Sequence, residues 1–580
     1  MTDFLSGDTS HVWIFLRRIV PWLDLRPKEG SRVDTLTRPD KGTDTRLRDV
    51  STLQRTWTLT VACLGVALVI SSMIALNTAL GDIAVTTSAT QSQLTWVVDS
   101  YTLVLACLLL PAGAIGDRYG RRGALLIGLS IFTLASLAPI FFDAPIQIIA
   151  ARAVAGAGAA FVMPATLSLL TVVYPKSERT KAVGIWAGVA GCGAVLGMLG
   201  SGLLLRFWPW QSIFWALAGA GLALFVLTWT VSDSRDADAP AVDWPGAALI
   251  GGAVAVFVFG IVEAPPRGWS DPLVIGCLCA GVALAVAFGL FEVRRRHPLL
   301  DVSLFRRADF ATGAAAIAVF FLANFGFMYL VMQYTQLILG YSALQTALAF
   351  TPLMLPMAVL SVTSSWYLPR LGLRVVVSTG LLFIAAGFVC LLTLRIDSSY
   401  FDLAWPLLVL ATGIGLCTAP TTSAIMNAAP DDKQGVASAV NDTVREIGAA
   451  LGIALAGSIL AGQYTHRLGD QLATFPPPVQ QAAGGSLAEA LAVSDRLGPA
   501  GAQLADISKS AFLHAMQSSI TVLSILVAVA AVLIGIWAPG RDGRQLRIVR
   551  NLTRRDEFGG PVPDHRDGRV RATAGDARQH

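Results

Sequence analysis

The chain alternates long apolar runs with short polar loops. Fourteen runs stand out: 57–80, 96–115, 124–142, 146–173, 183–205 and 213–231; then 245–263 and 272–293; then 310–339, 345–367, 374–394, 403–425, 436–461 and 512–537. A hydrocarbon core of about 30 Å needs about 20 helical residues to cross it. The runs meet that length and predict an all-α polytopic membrane protein with 14 transmembrane helices. The pattern divides the chain into a polar segment 1–55, six spans over 56–232, a two-span insert over 233–309, six more spans over 310–538, and a polar tail 539–580. Both polar ends are expected to be disordered. No cleavable signal peptide is read, because the patch 11–23 is interrupted by Arg17 and Arg18.

Composition agrees. The 580 residues are 54% hydrophobic and 14% charged, against about a quarter charged in soluble domains. The net charge of +5 does not imply nucleic acid, since the basic residues sit in short loops. One set of loops holds Arg118, Arg121, Arg122, Lys176, Arg179, Lys181, Arg235, Arg294, Arg295, Arg296, Arg306, Arg307, Arg370 and Lys433. The other set holds Arg206, Arg267 and Arg395. Basic loops stay in the cytoplasm, so both termini are expected there. One outer loop is long, 463–510, and rich in Pro, Gly, Ala and Gln. It reads as a flexible surface segment with amphipathic turns near 487–497, or as a lid over an outward vestibule. The seven cysteines all fall in apolar runs and read as packing residues.

The stretch from Trp96 to Arg122 concentrates candidate chemistry. It begins near an acid, Asp99, and ends in Gly113-x-x-Gly116-Asp117-Arg118-x-Gly120-Arg121-Arg122. The glycines permit a tight turn, and Asp117 can accept from a neighbouring helix N-terminus or a basic side chain. Such a contact would act as an inner gate. The alternative is a plain topology anchor. The segment Leu368-Pro369-Arg370-Leu371-Gly372-Leu373-Arg374 is a worn copy at the matching place in the second half. Parallel repeats of this kind place a site near the midplane, between the halves.

Ionisable residues inside spans are rare and costly. Asp99 and Arg152 lie at similar depth in the outer half and are expected to pair, unless Asp99 merely faces water. Asp442, Arg445 and Glu446, with Asn441, share a helix face in the inner half of the thirteenth run. They read either as a proton-coupling group or as a self-satisfied structural cluster. Gly184, Gly188, Gly193 and Gly197 stand at four- and five-residue intervals in the fifth run, which allows close helix packing.

These motifs together resemble the fourteen-helix drug:proton antiporter branch of the major facilitator superfamily, over roughly 56–537. The resemblance is carried by Asn77-x-Ala79-Leu80, WVVDSYTL, GDRYGRR, Ala151-Arg152 with Gly156 and Gly158, EAPPRGWSDP, HPLLDVSLFRR and AVNDTVREIGAALG. Two departures are visible. Gly197-Met198-Leu199-Gly200 lacks the proline of the antiporter motif. Ser72 stands where the branch commonly has an acid, five residues before Asn77. Coupling would then fall to Asp99, Arg152, Asp442, Arg445 and Glu446, with Asn77 nearby.

The resemblance implies a major facilitator fold and proton-coupled export of hydrophobic or cationic compounds by alternating access. It implies a bacterial plasma-membrane location, with protons, lipid and a small-molecule substrate as partners. No enzyme activity, cofactor, metal or nucleic-acid partner is implied. A dedicated exporter of a metabolite, lipid or siderophore is the alternative within transport. A non-transporting membrane receptor is the alternative outside it. No Gly-x-x-x-x-Gly-Lys-Ser/Thr loop suggests ATP drive.

Overall fold

The computed structural model describes residues 51–541 and 545, apart from 88, 90, 143, 233–242, 296–298, 301, 431–432 and 473–474. Of the expected disordered ends, residues 1–50, 542–544 and 546–580 lie outside the described residues, as do the patch 11–23, Arg235 and Arg296, whereas residues 52–55 are not disordered and form the first turn of the first span.

Each apolar run forms a helix. The first six spans are Thr52–Ala75, Gln91–Tyr119, Arg121–Phe141, Pro145–Val173, Lys176–Phe207 and Gln211–Thr228. The insert is Trp244–Arg267 and Pro272–Val293. The ninth span is Ala308–Gln333, extended by a π-turn over Tyr334–Ile338. The tenth begins as Ala343–Ala349, and Pro352 sits in the 3-10 turn, Thr351–Leu353, that separates this piece from the rest. Helix Met354–Leu391 then holds the remainder of the tenth span and all of the eleventh, joined at Gly372 with φ 80°. The last three spans are Tyr400–Ala428, Gln434–Leu472 and Ala502–Trp537. Among the described residues, thirteen helices are long and apolar enough to cross a membrane, and division of Leu344–Leu391 at Gly372 makes fourteen.

The internal repeat is clearer in the structure than in the residues. Gly120, φ 114°, turns the chain between the second and third spans, as Gly372 does between the tenth and eleventh. Both conformations lie where a side chain would be strained. Two residues after each glycine an arginine reaches the end of the last span of its own group. Arg122 donates to the Val231 carbonyl (3.2 Å), and Arg374 donates to the Ala538 carbonyl (2.8 Å).

Packing follows the same grouping. The second span packs on the fourth, the first on the fifth and the third on the fourth and sixth. The ninth packs on the thirteenth, the eleventh-containing helix on the twelfth and fourteenth. Four contacts cross between the groups: second with thirteenth, fourth with thirteenth, fifth with tenth, and fifth with twelfth. The seventh span lies against both the second and the thirteenth. Val254 and Val258 meet Leu103 and Ala106 on one side and Ile447 and Ala450 on the other.

The segment 463–510 departs from the flexible loop expected of it. The thirteenth span runs 39 residues, about 58 Å at 1.5 Å per residue. It therefore projects beyond any bilayer. Leu460, Tyr464, Leu468 and Leu472, spaced by four, keep one buried face along the projection. Helices Pro477–Gly485 and Leu487–Leu497 fold against it and against the fourteenth span, which starts ten residues earlier than its hydropathy shows. The Tyr464 hydroxyl donates to the Ala483 carbonyl (3.1 Å), and Ser494 donates to Gly501 (2.7 Å). Average hydropathy hides an amphipathic stripe of this kind.

Candidate functional site

Asp117 ends the second span at the end of the bundle that carries the basic loops. Its carboxylate is buried and satisfied by four donors. Arg121, one turn on, donates from Nε (3.1 Å) and Nη2 (2.7 Å). The other two donors are backbone N–H groups of the thirteenth span, Gly435 (2.9 Å) and Val436 (3.1 Å). These lie in the first turn of Gln434–Leu472, where amides have no partner within their own helix. An anion there gains from the helix dipole as well. The Gly113 backbone approaches so closely that a Cβ at Gly113 would lie 2.6 Å from the Gly435 carbonyl oxygen. Gly116 faces Ala124 of the third span, and Arg118 is half-buried beside the turn. Arg122 also lies over the Trp229 ring, 5.6 Å from its centre.

The glycine row of the fifth span serves two different contacts. Gly184 and Gly188 meet the tenth span at Ser361, Ser364 and Ala358, across the two groups. Gly193 and Gly197 meet the first span at Ile70 and Ser71, within one group, and Ser71 donates to the Gly193 carbonyl (3.0 Å).

Arg152 does not pair with Asp99, contrary to expectation. It is 2% exposed. Its guanidinium donates to the Ser72 hydroxyl (3.1 Å), the Ser72 carbonyl (3.3 Å) and the Val97 carbonyl (3.3 Å). It also lies over the Tyr101 ring, 4.2 Å from the centre. Val97 and Tyr101, one turn apart, define the face of the second span that meets Arg152. Asp99 is rotated about 200° from Val97. It shares a face with Trp96, whose ring lies tilted against Phe259 (5.8 Å between centres), and with Leu103, which packs on the seventh span. Its charged neighbour is Glu263 of that span, itself bound to Arg267 at 2.6 Å. Equal depth was legible, but azimuth separates the two.

Asn77 lies in the 3-10 turn Leu76–Thr78 after the first span, half-buried, with no side-chain hydrogen bond among the described residues. Its neighbour Thr78 makes the local contact instead, donating to Ser201 (2.9 Å).

The thirteenth span brings the remaining charges to the middle of the bundle. The Asp442 carboxylate accepts from Asn441 (2.9 Å) and Arg445 (3.3 Å), and is fully buried. Arg445 lies between two rings, Phe321 of the ninth span at 4.5 Å and Trp186 of the fifth at 5.7 Å. Glu446, 7% exposed, is within electrostatic range of the Tyr101 hydroxyl across the interface. Phe321 continues into a stack with Phe325 at 5.9 Å. Phe327 of the same span packs away from this stack, on Phe350 and Phe388. Trp210, just before the sixth span, is buried and donates to Thr86 (3.0 Å). Tyr101 and Trp186 complete the site and were not singled out as site residues. Burial and facing arginines mark them, and neither signal is in the sequence alone. Among the described residues no group of His, Cys, Asp and Glu could share a metal ion.

Fourteen spans in two repeated groups, with a closed end and a charged, aromatic-walled centre between them, define a membrane transporter. The chain belongs to the Major Facilitator Superfamily, whose sequence pattern matches residues 62–453. It is 33% identical over 427 residues to Multidrug resistance protein Stp of Mycobacterium tuberculosis (strain CDC 1551 / Oshkosh), covering 73% of this chain and 79% of that protein. It is 32% identical over 452 residues to Multidrug efflux pump LfrA of Mycolicibacterium smegmatis, covering 76% and 88%. The fold is similar to that of the proton:xylose symporter XylE, with TM-score 0.55 and 14% identity over 87% of this chain and all of that one. It is a transporter, not an enzyme.

Proposed function

We propose that this protein is a proton-driven exporter of hydrophobic or cationic small molecules across a bacterial plasma membrane. Residues 56–232 and 310–538 form the two halves, and 233–309 form an insert between them. The halves rock, with both termini in the cytoplasm. The observation that carries the reading is Arg445, held between Trp186 and Phe321 from opposite halves, beside Asp442 and Glu446. Aromatic faces accept flat apolar cations, and buried carboxylates exchange a proton for one. The names of the relatives Stp and LfrA support drug efflux. Asp117 and the N-terminus of the thirteenth span form the cytoplasmic gate. The residues Asp442 and Glu446 carry coupling, with Arg445 tuning them. Arg152, held by Ser72 and the Val97 carbonyl, sets the charge of the facing wall. Asp99 lies outside this centre, against the insert.

Inverted vesicles loaded by a proton gradient test this. A lipophilic cationic dye should accumulate, and an uncoupler should abolish the accumulation. Uptake that survives the uncoupler, or no movement of any such dye, removes the proposal.

A further inference from the structure

The insert exposes a groove that the transport reading does not use. It has a volume of about 560 Å³ and lies between the seventh and eighth spans. Leu249, Ala287, Leu290 and Phe291 form its walls, and Arg294 and Arg295 stand at its mouth. The eighth span is the least buried of all spans, so the groove faces lipid rather than protein.

We propose that this groove binds one anionic phospholipid, with an acyl chain along the walls and the phosphate at the arginines. From Ala287 to Arg294 the helix rises about 10 Å, the reach of roughly eight methylenes. The apolar walls thus match the upper part of a fatty-acyl chain. The arginines fall where the span leaves the hydrocarbon, at the depth of lipid phosphates. The Arg295 guanidinium lies over Phe291 at 4.4 Å, and its Nε is 3.5 Å from Asp243. Asp243 therefore offsets one of the two cations. Glu292 of the same helix is buried beside Asp243, whereas Arg294 is exposed and has no ion-pair partner among the described residues, so one cation at the mouth is left unpaired. An apolar slot topped by positive charge complements an anionic lipid better than a zwitterionic one. The site depends on the protein's lying in a membrane and not on the direction or cargo of transport.

The test is native mass spectrometry of the full-length transporter in detergent, titrated separately with dioleoylphosphatidylglycerol and dioleoylphosphatidylcholine. The glycerol lipid should bind at least about fivefold more tightly, the effect of roughly one surface arginine. Arg294→Gln should reduce that preference about fivefold, and Leu290→Trp, which fills the groove from an exposed position, should weaken retention of both lipids. Melting temperatures should match the parent, since Leu290 and Arg294 are both exposed. Equal binding of the two lipids, or an unchanged preference in Arg294→Gln, overturns the proposal. Displacement of the lipid by millimolar inorganic phosphate would assign the arginines to a free anion and overturn it as well. Arg294 would then merely offset the carbonyl end of its helix.

Discussion

The Arg152 guanidinium donates to Ser72, at the position where the drug:proton branch commonly carries an acid. A buried cation is thereby held by a hydroxyl, two carbonyls and the Tyr101 ring, with no carboxylate paired to it among the described residues. Such a cation is sensitive to each partner. Ser72→Ala leaves a guanidinium nitrogen unpartnered and should cost about 1–3 kcal/mol. Ser72→Asp supplies the missing anion and should raise stability above the parent through a charge-assisted bond. Melting of the purified variants decides the matter. A Ser72→Ala protein as stable as the parent would show that the hydroxyl contributes nothing to holding Arg152.

How much of this was legible beforehand follows from geometry. Span number, the gate motif and the charged face of the thirteenth span are local patterns, visible as hydropathy or spacing of three and four. Pairings between helices depend on azimuth. Asp99 and Arg152 share a depth, yet Val97 and Tyr101 turn one way and Asp99 the other. The stripe Leu460, Tyr464, Leu468 and Leu472 was missed because polar neighbours lower the average while the buried face continues. The insert's bridging position, against both the second and thirteenth spans, has no local signature at all.

Removal of the Asp117 carboxylate should open the end of the bundle that carries the basic loops. Asp117→Ala loses two charge-assisted bonds to the thirteenth span and the ion pair with Arg121. Hydrogen bonds to charged groups contribute about 1.5–3 kcal/mol each. Even one of them corresponds to a population shift of about tenfold or more. Spin labels on the ends of the fifth and tenth spans nearest Asp117 should report a longer distance in Asp117→Ala than in the parent. Identical distance distributions would exclude a gating role.

The two ends of the glycine row should fail differently. A Cβ at Gly184 meets the Ser361 carbonyl and Ser364 Oγ across the halves, and one at Gly113 meets Gly435 and Ala439. Alanine at either position should leave each half folded and prevent closure of the end that carries Asp117. A Cβ at Gly197 would lie 2.8 Å from Ser71 Cα, inside one half. Gly197→Ala should therefore lower the melting temperature, by about 1–3 kcal/mol in stability, from overpacking. Thiol accessibility at the Asp117 end, measured beside melting, separates the classes. Equal melting losses for all three would refute the distinction.

Coupling should reside in the thirteenth span. Asp442 is tied by hydrogen bonds to Arg445 and Asn441, whereas Glu446, within electrostatic range of Arg445 and of Tyr101, has no hydrogen-bond partner among the described residues. Glu446 is thus the carboxylate freer to change its proton as the halves separate. Glu446→Gln keeps the shape and removes the titratable group. It should abolish the response of dye export to the pH difference, while dye binding falls less than about tenfold. Asp442→Asn should instead weaken the hold on Arg445, and so reduce binding and folding yield together. The parent's export rate should change with cytoplasmic pH, and the Glu446→Gln rate should be flat over the same range. A Glu446→Gln protein that keeps the parent's pH profile would place coupling elsewhere, with Asp99 beside Glu263 the next residue to replace.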